Sequence, residues 1–330
     1  MRTINHHGRR TRVAGVCLLL LALVAPCASA AMLFVSNERG NTVTVLDSNT
    51  LKTIKTIPTG QRPRGIVAGP HGKWVYVCVG DSNRIDVIDV AKLAVTRQLP
   101  SGPDPELLAV GNDGTRVYIA NENNAMVTVL HAETGKLLAE IPVGTEPEGM
   151  RVSPDNQLTV ATSEGTSMVH FIDNKALELV ASVLVDTRPR VATFTPDGHH
   201  VWVSSEVGGT VSVVDVSTHQ LVQKISFAIP GMRSEFIQPV GITMSKDGLQ
   251  AFVALGPANH VAVVDTKTYK VSDYIIVGQR PWNMALSPDG SKLYVVNGFT
   301  NDVTVVNVKS LKPEVSVPVG RLPWGIAVVP

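Results

Sequence analysis

Five arginines, a set of glutamates and two tryptophans stand at fixed offsets from seven recurring prolines, Pro63, Pro105, Pro147, Pro189, Pro239, Pro281 and Pro323. The residue before the proline is Arg62, Asp104, Glu146, Arg188, Gln238, Arg280 or Leu322. The residue after it is Arg64, Glu106, Glu148, Arg190, Val240, Trp282 or Trp324. A third position, one past a strand-ending Asn in the repeat, adds Glu38, Glu122, Glu164 and Glu206. Gathered in one place, these side chains have clear capabilities. Arginine clamps a carboxylate through two parallel N–H donors, tryptophan offers a flat face for stacking, and carboxylates move protons. The blander reading is ordinary pairing of exposed loop charges, each pair contributing little.

Other chemistry is poorly provided for. The histidines of residues 31–330 are His71, His131, His170, His199, His200, His219 and His260, and none forms an H-x-x-x-H pair. There is no C-x-x-C-H haem attachment and no G-x-S-x-G nucleophile turn. Neither a metal nor a cofactor is expected. His131 occupies a repeat position held elsewhere by Asp47, Asp89 or Asp215. Cys78 aligns with Ser36, Ala120, Thr162, Ser204, Ala254 and Val296, which predicts a buried, inert thiol.

The elements that would position the mouth residues follow from the proline spacing, which is 42, 42, 42, 50, 42 and 42 residues. The longer interval holds an insertion around Pro230 to Gln238. Its Met232, Arg233, Phe236 and Ile237 are expected to cap a channel or meet a partner. Each unit carries a short apolar strand after the proline and a tight turn such as Ser287-Pro288-Asp289-Gly290. A second strand and two alternating strands complete it. Seven such units predict an all-β, seven-bladed β-propeller with four strands per blade. Val329-Pro330 aligns with Ser287-Pro288, and Leu33 to Asn37 aligns with Leu293 to Asn297. The two ends of the repeat array therefore share one blade, and the ring closes without an exposed sheet edge.

Residues 1–30 read differently. Arg2, Arg9, Arg10 and Arg12 precede an apolar run from Val13 to Val24 and then Ala28-Ser29-Ala30. This predicts a secretory signal peptide cleaved after Ala30 and a periplasmic location, with lipid anchoring at Cys27 the rival reading. The run is too short to span a bilayer comfortably, so no membrane-spanning segment is expected. Four of the 29 basic residues and none of the 28 acidic ones lie in this segment, which leaves residues 31–330 at a net charge of −3. That balance argues against a nucleic-acid partner. One monomeric propeller domain, residues 31–330, is expected.

The units resemble the YVTN-type β-propeller repeat through Leu293-Tyr294-Val295-Val296-Asn297, Val117-Tyr118-Ile119-Ala120-Asn121, Ile85-Asp86-Val87-Ile88-Asp89 and Val211-Ser212-Val213-Val214-Asp215. From Met32–Glu38 to Trp324–Pro330, the chain is similar to propeller proteins associated with pyrroloquinoline quinone (PQQ)-dependent alcohol catabolism. The resemblance implies a periplasmic accessory role, with a quinoprotein dehydrogenase or its cytochrome as partner. The chain does not resemble the dehydrogenase itself, because only His131-Ala132-Glu133-Thr134-Gly135-Lys136 approaches its docking motif. Two kinds of function follow. One is a non-enzymatic propeller holding a partner, or a small anionic or aromatic ligand, on the funnel face. That face would be formed by Arg62, Arg64, Glu106, Glu148, Arg188, Arg190, Arg280, Trp282 and Trp324. The other is a hydrolase of the sugar-lactonase type, or a haem-binding propeller.

Overall fold

In a computed structural model, residues 1–4 and 31–330 are described; the expected signal peptide and Cys27 therefore lie almost wholly outside the described residues. Twenty-eight strands form seven separate four-stranded antiparallel sheets, and the only helical turns among the described residues are four short 3₁₀ segments. Seven strands are innermost: Pro63–Ala68, Pro105–Val110, Pro147–Val152, Pro189–Phe194, Ile242–Met244, Pro281–Leu286 and Pro323–Val329. Neighbouring inner strands contact one another around the axis. Six blades take their strands in chain order. In the seventh, Pro323–Val329 pairs with Met32–Asn37, followed by Thr42–Asp47 and Thr53–Pro58. The seven-bladed ring and its shared blade agree with the sequence reading.

The alternating strands make blades apolar on both faces, and each face packs against the next blade. Trp202, for instance, joins Val213, Ile242 and Val253 in a cluster spanning two blades. The outer hairpins share a local device. Asp47, Asp173, Asp215 and Asp265 each accept two backbone N–H groups from the turn that follows. Those donors hold all four carboxyls below the usual range; at Asp215 the Ser217 hydroxyl leads, ahead of the Thr218 N–H, and brings it to about 2. His131 does the same work through Nδ1, which accepts from Glu133 and Thr134 at 3.3 Å. Its place in the aspartate column is thus structural.

His170 is also structural. It is buried, its Nε2 accepts the Gly144 N–H at 3.0 Å, and its Nδ1 lies 2.8 Å from Ser182 Oγ. Burial depresses its pKa to about 4. The unfolded chain, titrating near 6.5, takes up the proton first, so stability falls as pH drops from about 6.5 to about 4, by about 3 kcal/mol in all. A His170→Asn variant is expected to lose that segment of the urea-midpoint-versus-pH curve. An unchanged curve would refute the assignment.

The inserted loop shortens one inner strand to Ile242–Met244 and carries a 3₁₀ turn, Ser234–Phe236. Met232 and Ile237 pack into the adjoining core. Phe236 stays exposed under the Arg233 guanidinium, 4.8 Å from the ring centre.

Candidate functional site

Backbone geometry places the mouth residues before their chemistry is considered. Each residue preceding the proline adopts positive φ, from 48° at Leu322 to 58° at Arg62 and Arg188, with Gln238 the exception beside the insertion. Loop asparagines hold these residues from the preceding blade. The side-chain oxygens of Asn41, Asn83, Asn259 and Asn301 accept the backbone N–H groups of Arg62, Asp104, Arg280 and Leu322 at 2.7–3.0 Å. The carbonyls of the same register return the tie, as in Glu206 N to Arg188 O at 2.8 Å. Behind them, the hydroxyls of Ser36 and Thr162 donate to the carbonyls of Arg64 and Arg190 at 2.6 and 2.9 Å. Cys78 fills the same column, fully buried, and burial pushes its thiol pKa well up, as expected for an inert cysteine.

The residues following the proline converge on the axis and close it. Glu106, Glu148, Arg190, Val240 and Trp324 are buried; Arg64 and Trp282 are half-buried. Arg64 pairs with Glu106 at 2.7 Å and Glu38 at 3.3 Å. Arg62 binds Asp104, Asp81 at 2.9 Å and Glu106 at 2.9 Å. Across the ring, Arg190 contacts Glu164, Glu148 at 3.1 Å and Glu206 at 3.6 Å. Arg188 lies 2.8 Å from Glu164, and Arg280 lies 2.6 Å from Glu206. Trp282 and Trp324 stack at 6.2 Å, with Arg280 and Arg190 over Trp282 and Arg64 over Trp324. Trp282 fits because position 298 is glycine: a Cβ there would come within 2.7 Å of its indole nitrogen. Glu occupies the matching position in four other blades.

The structure therefore brings together all nine funnel residues that the sequence singled out. It also shows that each of their arginines already faces carboxylates, so none offers an unmatched cation to an incoming anion. Met232, Arg233 and Phe236 lie apart from this cluster, on the inserted loop. Across the three mouth registers, eight carboxylates meet five guanidiniums. Burial works to raise the Glu106 pKa, but Arg64 and Arg62 hold it below the usual value. Burial, with Glu106 and Glu164 nearby, carries Glu148 well above it, against the pull of Arg190. Glu122 is half-buried, and burial together with Glu106 pushes it to about 7. Carboxylate oxygens of Asp104, Glu106 and Glu122 lie within 4.8 Å of one another. On other blades, Val207, Phe236 and Phe299 are exposed on loops of the same face, Phe299 at 64%.

One charged residue escaped the sequence reading. Arg151 lies four residues past Pro147, where the other units have Val67, Ala109, Thr193, Thr243, Ala285 and Ala327. It lines the central cavity. The register alone could have found it, as the single charge in a column of small residues.

The model of the family described as Lactonase, 7-bladed beta-propeller matches residues 94–316. No curated protein matches the chain in sequence. Among solved structures, Kuenenia stuttgartiensis hydrazine synthase superposes with a TM-score of 0.78 at 21% identity, over 84% of this chain and 92% of that one. A functionally unknown protein from Desulfotomaculum acetoxidans superposes with a TM-score of 0.77 at 17% identity, over 90% and 98%. At these identities the likeness is one of fold. No helix among the described residues is long and apolar enough to cross a membrane.

Proposed function

The chain belongs to the seven-bladed β-propeller lactonase family, and from that scaffold we propose a periplasmic binding protein that docks a basic partner on its acidic mouth. The observation that carries the proposal is the self-paired centre. Its arginines are matched by carboxylates, a small carboxylate excess remains even when the raised Glu148 and Glu122 are discounted, and the middle of the face is closed. Such a surface attracts cationic groups and rejects anionic ones, through a field that salt weakens. Exposed Phe299, Phe236 and Val207 supply the apolar anchors that interfaces use. The YVTN-type repeats and the resemblance to PQQ-associated propellers make the cytochrome of a quinoprotein dehydrogenase the partner to test first. Its binding is expected to weaken at least tenfold between about 20 and 200 mM salt, and at least tenfold in a Phe236→Ser/Phe299→Ser variant. Binding insensitive to both would reject the mouth as the docking surface.

Glu122 supports a second reading, lactone hydrolysis. A carboxyl titrating near 7 beside Asp104 and Glu106 has the protonation behaviour of a general base. Glu148 is poorly suited to that task, since it is buried behind Arg190. Under this reading kcat/KM on a lactone panel rises through pH 7 and is abolished in Glu122→Gln. The absence of any turnover by the unaltered protein would dismiss hydrolysis and leave docking untouched.

A further inference from the structure

A half-open cavity of about 420 Å³ lies along the axis between the inner strands, below the charged closure. Val67, Leu107, Val191, Leu286 and Val328 give it half-exposed aliphatic surface, interleaved with polar groups of the inner strands. It runs to Ala68, Val110, Val152 and Leu286, at the strand ends opposite the prolines. Arg151 is the one charged residue in the wall. Its side chain is accessible within the lumen, yet makes no salt bridge and no hydrogen bond among the described residues. This is the reverse of the mouth, where every central arginine faces acids. Enclosure by the inner strands, with no carboxylate beside it, holds its pKa below the ordinary arginine value.

The Arg151 guanidinium reaches into the channel exposed to water and without a protein partner among the described residues, so it is free to meet an incoming anion. Guanidinium geometry matches a carboxylate through two parallel hydrogen bonds. Aliphatic walls suit an apolar body, and Thr243 and Asn283 are the neutral polar residues available to orient one. We infer that the lumen is a binding site for an amphipathic monocarboxylate, its head on Arg151 and its hydrocarbon body along the inner strands. This site is separate from the mouth, so neither partner docking nor hydrolysis needs to hold for it to exist.

Titration calorimetry with octanoate and cinnamate distinguishes chain-like from aromatic occupants, and octanol serves as the uncharged control. At least one acid is expected to bind in the millimolar range or tighter, octanol at least tenfold more weakly, and Arg151→Gln to lose acid binding at least tenfold. Thermal unfolding gives an independent readout. Arg151→Leu is expected to leave the unliganded midpoint within about 2 °C of the original while abolishing the shift that the acid produces. No binding by either acid at about 10 mM, octanol binding as tightly as octanoate, or an Arg151→Gln protein that binds like the original would overturn the inference. So would an Arg151→Leu protein that keeps the acid-induced shift.

Discussion

Replacing Arg190 with methionine is expected to cost about 3–5 kcal/mol of folding stability at pH 7. Arg190 is buried and is the shared counter-ion of Glu148, Glu164 and Glu206. Its backbone carbonyl is fixed by Thr162. At position 149, a Cβ would come within 2.3 Å of the same carbonyl, so the two inner strands approach closely here only because that residue is glycine. Methionine would fill much of the volume beside Trp282 but leave Glu148 without its arginine, while Glu164 and Glu206 keep only Arg188 and Arg280. The wild-type carboxylates hold the Arg190 pKa above its ordinary value despite burial, which reports the same mutual attraction from the other partner.

The defect is predicted to depend on pH in a definite sense. Without Arg190 the Glu148 carboxyl, which burial already carries above the usual value against the pull of Arg190, is raised further above its unfolded value. A group of that kind favours folding below its unfolded pKa and loses that contribution as pH rises through its folded pKa. The variant is therefore expected to recover relative to the original protein as pH falls from 7 towards 5. Adding Glu148→Gln at neutral pH should restore part of the loss, because it removes the stranded acid. Urea unfolding at both pH values, on the single and double variants, measures this directly. A single-variant loss below about 1 kcal/mol would mean that the buried network contributes no more than exposed pairs do.

The contrast between this network and Arg151 explains what was legible in the sequence. Strand order, blade number and the shared blade followed from the proline spacing, because a propeller repeats its backbone and so repeats its turn residues. The residues of the mouth could be named for the same reason: register fixes which positions approach the axis. Their pairing was not legible. Whether Arg64 reaches Glu106 or open solvent depends on side-chain reach between blades, 42 residues apart in the chain. The closing of the mouth by Trp282 likewise depends on the absent side chain of Gly298, a pairwise fit that a column of types does not display. Arg151 was missed for a different reason. Attention to positions flanking the proline excluded the middle of the inner strand, where the pattern is otherwise small and apolar. A departure within such a column was the stronger signal, since a charge there projects into the channel between the inner strands.

Deleting residues 320–330 is expected to abolish cooperative folding altogether. The strand Pro323–Val329 supplies the inner edge of the blade begun by Met32–Asn37. It buries Trp324, Ile326, Ala327 and Val329. Each large apolar side chain contributes about 1.5–3 kcal/mol on burial, against a total stability of about 5–15 kcal/mol for an ordinary domain. The loss would also unpair the backbone groups of Met32–Asn37 that face this strand, opening an aggregation-prone edge. What matters is ring closure, not chain position. The other blades join inner to second strand through turns such as Pro288-Asp289-Gly290-Ser291, and two residues are missing between Pro330 and Ala31. A permutant with Asp-Gly inserted there, and opened between Asp289 and Gly290, keeps all four strands of both blades. It should unfold cooperatively within about 2 kcal/mol of the parent, because turn connectivity costs little once both strands are in place. If the deletion variant stayed folded, or the permutant collapsed with it, closure by strand pairing would not be what holds the ring together.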